Sequence, residues 1–244
     1  LRNAWFILTV EEVIVMWIDL ETWPRRPQFE YYRAMAFPAF NLCVEVDVTA
    51  LLAWVKSEKA SFFASFLYCL SRAANLTDAF RLRTRPEGIW LHETVHPSFV
   101  HLYPNETYGY CLAPFTPDYG AFAEAVRHVQ AQPQTLDDKG RDDLIFVSCV
   151  PWIRFTGLSH PVDLNPALMA IPRFVFGKYA ANGQGQITVP LSIQVHHGLM
   201  DGLHVGRFLQ LLEANLADPR LTLGEGAVKN KHEVRSEGQE RLYR

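Results

Sequence analysis

The chain has 244 residues, 49% hydrophobic and 13% aromatic, which is enough to bury a full core in one domain or at most two small ones. A net charge of -3, with both signs spread along the chain, leaves no basic stripe to attract nucleic acid. The four cysteines, Cys43, Cys69, Cys111 and Cys149, are dispersed without a C-x-x-C pair, which argues against a structural zinc or iron-sulfur site. Each lies in an apolar segment and reads as a buried free thiol; with no secretory signal, a reducing cytoplasm is expected.

Residues 4–10 are apolar, but Glu11 and Glu12 interrupt them far short of a membrane span. We read residues 1–15 as an extension ahead of a native start at Met16, residues 16–219 as the domain, and residues 220–244 as a polar, loosely ordered tail. Residues 23–33 are dense in aromatics and cations and read as a surface helix start, with Arg25 and Arg26 solvated. Residues 40–47 alternate as a strand, Thr49 is expected to cap a helix running to about Lys59, and residues 62–74 form a second, more apolar helix. These helices are expected to cover a sheet.

Short runs at 88–92, 99–103 and 108–113, bounded by Pro, Gly or Asn, read as strands. Thr116-Pro117-Asp118 is a helix start that puts Phe122, Val126 and Val129 on one face. Residues 144–152 are a buried-strand run with one hydroxyl, Ser148, which by itself suggests only a serine bonded to backbone. Residues 172–179 form another strand.

The most informative stretch is 189–204. Leu191 to Val195 alternate apolar and polar, the period of a strand with one face in a core, and the strand delivers His196 and His197. After Gly198 the period becomes helical, with Leu203, Val205, Phe208, Leu209, Leu212 and Leu216 recurring, so a helix starts near Asp201. An imidazole at such a strand-to-helix junction suits a general base, since its ordinary pKa of about 6.5 leaves it mostly neutral at pH 7 and able to take a proton. Spacing alone also allows a satisfied histidine with Asp201 as an ordinary first-turn acid, or a metal held by His197, Asp201 and His204.

His-His-x-x-x-Asp-Gly at the end of an apolar strand, His196 to Gly202, resembles the active-site motif of the chloramphenicol acetyltransferases. Related motifs occur in dihydrolipoyl acyltransferase cores and peptide-synthetase condensation domains, but the longer match, 190–197 and 201–207, is similar to the chloramphenicol enzymes specifically. Two further segments agree in order. Trp23 to Tyr32 resembles the family's N-terminal segment, which implies that Arg25 pairs with Asp201 and that Tyr32 faces the acceptor pocket. Ser148, Pro151 and Trp152 match the segment whose serine donates to the oxyanion, and residues 172–179 resemble the segment beside coenzyme A, with Lys178 and Tyr179 as its basic and aromatic residues.

The resemblance covers roughly residues 16–219 and implies an α/β two-layer sandwich in which helices cover a mixed β-sheet. It implies an acyltransferase that moves the acetyl group of acetyl-CoA onto a hydroxyl of chloramphenicol in a ternary complex. His197 is then the base, Ser148 the oxyanion donor, and Tyr32, Phe40 and Tyr108 the acceptor pocket, with no metal and no membrane partner. It also implies a homotrimer with sites at subunit boundaries. The sequence departs from the family at Val175, where threonine is frequent, at Ser61 and Phe63, where lysine and tyrosine are common, and at Pro38, Val100 and Tyr108 around the acceptor. Another small hydroxyl acceptor, a non-catalytic binding module and a metal-binding protein stand as alternatives.

Overall fold

The structure, a computed structural model, describes residues 7–8, 15–132, 136, 140–161 and 165–224. Its first part gives the short strands β1 (Ile7–Leu8) and β2 (Val15–Trp17), helix α1 (Arg26–Arg33) and the long strand β3 (Ala39–Asp47). Helices α2 (Thr49–Glu58), α3 (Phe62–Leu76) and α4 (Asp78–Arg81) follow, then strands β4 (Leu82–Arg85), β5 (Gly88–Leu91), β6 (His96–Leu102) and β7 (Tyr108–Leu112). Helix α5 (Tyr119–Gln130), β8 (Leu144–Cys149), α6 (Pro166–Met169), β9 (Arg173–Phe176) and β10 (Ala180–Ala181) lead into β11 (Ile187–His196). Helices α7 (Gly202–Ala217) and α8 (Pro219–Leu223) complete the described chain.

A seven-stranded sheet runs β10-β11-β9-β8-β6-β7, with β3 also paired along β11. It is mixed, as expected: β6 with β8 and β8 with β9 are parallel, and the other pairs are antiparallel. Alternate residues of its strands, Val189, Leu191, Ile193 and Val195 on β11 and Phe174 and Phe176 on β9, enter one core with Leu51 of α2, Phe66 and Leu70 of α3, Phe122 of α5 and Phe208 and Leu212 of α7. Helix α3 is the centre of that layer, with ten of its residues buried, which is why its sequence is apolar almost all round.

The opposite face of the sheet is covered in part by the segment 151–161. Asn41 Nδ2 donates to the Leu158 carbonyl at 3.0 Å, and Arg154 reaches Glu45 at 2.9 Å and Thr188 at 3.0 Å. Gly177 makes this approach feasible, because a Cβ there would lie 2.6 Å from the Ile153 carbonyl oxygen.

Several expectations change. Thr49 is not the cap of α2: Val48 holds that position without a side-chain bond, while Asp47 accepts from the Thr49 amide at 2.8 Å and Thr49 Oγ1 accepts from Ile187 at 2.8 Å. Thr49 thus ties the helix to β11. Leu203, placed on the buried face of α7 by its period, lies in the first turn of the helix and is 60% exposed. The polar tail was expected from 220, yet α8 continues to Leu223, with Thr222 and Leu223 buried; residues 225–244 lie outside the described residues.

A second, four-stranded sheet, β1-β2-β5-β4, was not expected. Most of the expected extension 1–15 lies outside the described residues, but Ile7–Leu8 pairs with Val15–Met16. Among the described residues no helix is long and apolar enough to cross a membrane.

Candidate active site

Strand β11 ends at His196, and the chain then turns through 197–200 into α7, with the Leu199 and Met200 amides bonding back to the His196 carbonyl at 3.0 and 3.1 Å. The two histidines part at this turn. His196 faces inward, 3% exposed, and its Nδ1 accepts from the Gly198 amide at 3.1 Å. Gly198 has no room for a side chain, since a Cβ would meet His196 Cε1 at 2.9 Å. Burial pushes the His196 imidazole down to about 4, with the neighbouring His197 adding to the effect, so it stays neutral at pH 7.

His197 is half-buried at the surface end of the turn. Its amide donates to the Pro38 carbonyl at 2.7 Å, anchoring it to the segment before β3. Its ring stacks on Tyr32 of α1, centroids 4.0 Å apart and planes 13° from parallel, and meets Phe40 of β3 at 4.6 Å. Two aromatic faces therefore fix the plane of the imidazole. Its Nδ1 is buried and has no hydrogen-bond partner among the described residues.

Arg25 and Asp201 meet as the resemblance implied, Nη1 to Oδ2 at 2.5 Å, and Arg25 Nη2 also donates to the His197 carbonyl at 3.3 Å. Asp201 is the N-cap of α7: its Oδ1 accepts from the Leu203 amide at 3.0 Å and lies 2.8 Å from His204 Nδ1. Burial would raise the Asp201 carboxyl, but bonds from Arg25 and His204 and their charge bring it down to about 2. The guanidinium thus joins the start of α7 to the main chain of His197. The pairing has a signal in the sequence; at His204 the spacing that allows a metal ligand is also Asp-x-x-His, the spacing of a capping box. Among the described residues no group of three or more His, Cys, Asp or Glu is arranged to hold a metal ion.

Ser148 lies elsewhere. It sits on β8 in register with Val175 of β9, which is in register with Ser192 of β11. Two strand spacings and five residues of β11 and its turn therefore separate it from His197, on the order of 20 Å within one chain. Tyr108, 51% exposed on β7, and Val100, opposite Tyr110 on β6, belong to the Ser148 side. Lys178 and Tyr179 follow β9, with the Lys178 amide bonded to the Ile153 carbonyl at 2.7 Å and the Tyr179 ring 5.2 Å from Phe62 at the start of α3. Trp152 is 66% exposed.

The departures acquire local reasons. Ser61 is the N-cap of α3, accepting from the Ala64 amide at 3.3 Å, and Phe63 packs against Phe99 and Phe176. The candidate residues thus fall in two separate regions of the chain. One holds a surface imidazole between aromatic rings with its backbone clamped by an arginine-carboxylate pair; the other presents a hydroxyl beside a basic and aromatic strip.

The family model described as chloramphenicol acetyltransferase matches residues 14–213. A chloramphenicol acetyltransferase of Streptomyces acrimycini is 32% identical over 211 residues, covering 83% of this chain and 94% of that protein. One from Klebsiella sp is 31% identical over 208 residues, covering 80% and 91%. A solved chloramphenicol acetyltransferase superposes with a TM-score of 0.75 at 26% identity, over 83% of this chain and 99% of that one. The cubic core of the pyruvate dehydrogenase multienzyme complex shares the fold, with a TM-score of 0.59 at 16% identity over 80% and 88% of the two chains. The mixed sheet with its helical layer, the paired Arg25 and Asp201 and the match along most of the length agree: this chain belongs to the chloramphenicol acetyltransferase family and is an acyltransferase.

Proposed function

We propose that this enzyme transfers the acetyl group of acetyl-CoA to a hydroxyl of chloramphenicol in the cytoplasm, inactivating the antibiotic, by direct general-base catalysis in a ternary complex. The observation that carries the reading is His197, held between Tyr32 and Phe40 with its main chain tied to the Arg25–Asp201 pair. Such a base is oriented before substrate arrives, so little reorganisation is needed in the transition state.

His197 Nε2 takes the proton of the acceptor hydroxyl as its oxygen bonds to the thioester carbonyl carbon. The electron pair displaced onto the carbonyl oxygen is stabilised by the Ser148 hydroxyl. When that pair returns, the bond to sulfur breaks, and the imidazolium returns its proton to the departing thiolate. Tyr32, Phe40 and Tyr108 line the mainly apolar acceptor pocket, and Lys178 and Tyr179 lie along coenzyme A. Residues 16–219 form the catalytic domain of a homotrimer whose sites lie between subunits. The separation of Ser148 from His197 within one chain supports that assembly, because the two groups meet only across a boundary.

A second reading keeps the fold and chemistry but changes the acceptor to another small hydroxyl compound. It is favoured by Pro38, buried where it holds the His197 amide, and by the exposed Tyr108, both of which alter the pocket from the family's usual residues. Purified enzyme, acetyl-CoA, chloramphenicol and a thiol reagent, with and without chelator, form the test. Thiol release dependent on chloramphenicol and indifferent to chelator is expected, together with at least partial resistance in a sensitive bacterium. Turnover with other hydroxyl compounds but none at saturating chloramphenicol would sink the drug assignment while leaving acetyl transfer.

A further inference from the structure

The mechanism above leaves His204 without a part, yet its ring closes the same polar chain. Asp201 offers Oδ2 to Arg25 at 2.5 Å, whereas Oδ1 lies 2.8 Å from His204 Nδ1 and 3.0 Å from the Leu203 amide. The same ring nitrogen is 3.3 Å from the Asp201 amide. One nitrogen cannot donate to the carboxylate and accept from the amide at once, so the two contacts are alternatives set by the tautomer.

As an acceptor, Nδ1 would only complete the capping box of α7. As a donor, it fixes the free oxygen of Asp201. The second contact is the shorter and is made to an ionised carboxylate, which makes it about twice as strong as a neutral bond. The ring is 20% exposed, so water competes weakly for the proton. Were the His204 ring absent, Asp201 would keep its main-chain cap and its bond to Arg25 but lose the side-chain contact that sets the tilt of the carboxylate, and a change of tilt passes to Arg25 and its 3.3 Å bond to the His197 carbonyl.

We propose that His204 is a positioning residue for acetyl transfer, an Nδ1–H donor that orients Asp201 so that Arg25 fixes the main chain of His197. The inference rests on the transferase reading of the site. Because His204 acts through two other residues, its loss is expected in kcat and not in the KM for acetyl-CoA.

Two measurements test it. In the folded wild-type enzyme, multiple-bond proton–nitrogen NMR of the histidines, with His204→Asn for assignment, is expected to show Nδ1 of His204 protonated. An unprotonated Nδ1 assigns it to the helix cap alone and overturns the proposal, whatever any variant does. In kinetics, His204→Ala is expected to lower kcat about 10-fold with KM for acetyl-CoA within about twofold, as for a small misplacement of a catalytic group. His204→Asn, whose amide nitrogen stands where Nδ1 stood, should regain most of that loss. A kcat in His204→Ala within about twofold of wild type, alongside a lowered melting temperature, would reduce His204 to a cap. Wild-type protein that fails to turn over at all would instead overturn the reaction assigned above, a result kept separate from the first two.

Discussion

His196 and His197 are adjacent in sequence and opposite in environment, and the difference separates stability from chemistry. His197→Ala should remove transfer by roughly 10² to 10⁴ in kcat, with acetyl-CoA binding retained in calorimetry. Ser148→Ala should cost about 10² to 10³ in kcat with little change in KM, and an unchanged kcat would return Ser148 to a backbone-bonding role. His196 acts through pH instead. Its folded pKa, near 4, lies below the ordinary imidazole value, so the unfolded chain takes up the proton first as pH falls. The stability it contributes is complete above about pH 6.5 and is lost as pH falls towards 4. Burial, with Arg173 nearby, drives His160 the same way, also to about 4, whereas Asp201 and Asp142, near 2, lose their contributions only at lower pH. Urea unfolding at pH 7 and pH 4.5 should therefore show a smaller loss in His196→Asn than in wild type. Equal losses would mean that His196 is not the group being protonated.

At the scale of elements, α7 is tied to the site by its N-cap residue, Asp201. Asp201→Asn keeps an N-cap, since asparagine caps as well as aspartate, but removes the charge from the bond to Arg25. The carboxylate is about a third exposed, so the cost is that of a charge-assisted hydrogen bond, about 1 to 3 kcal/mol, rather than that of a fully buried pair. A melting temperature equal to wild type would count against the pair. Most elements were legible because their periods were clean: β3, α3, α5, β8 and β11 fall where alternation or helical spacing placed them. Strand β4 was not, because two of its four residues are arginines. Arg83, of a residue type seldom found inside a protein, is fully buried, donating to the carbonyls of Phe80, Leu82, Asp142 and Leu144 and so linking β4 to the start of β8. Its neighbour Arg81 is buried in the same way, on the carbonyls of His92 and Glu93. Charge used to satisfy backbone leaves no periodic mark in a sequence.

The site as a whole shows what sequence separation hides at the scale of the molecule. Motif order named Ser148 and His197 together, but nothing in a linear sequence says whether two residues meet within one copy or between two. The register of β8, β9 and β11 sets them on the order of 20 Å apart in one chain, too far for one bound thioester carbonyl to touch both. Tyr108, Trp152 and Tyr179 are large aromatic side chains exposed in the single chain on the Ser148 side. The proposal of a site shared between subunits makes a prediction that a self-contained site cannot match. Ser148→Ala and His197→Ala homotrimers should each be nearly inactive. Coexpressed or mixed by reversible unfolding, they should form heterotrimers in which some boundaries join an intact His197 from one subunit to an intact Ser148 from the next. Random assembly in a cyclic trimer restores about a quarter of the boundaries, so about a quarter of wild-type kcat per site should return. Size-exclusion chromatography with light scattering should show the trimer mass in every sample. If mixed trimers form and activity stays at the level of the separate variants, His197 and Ser148 do not serve a common site across the boundary.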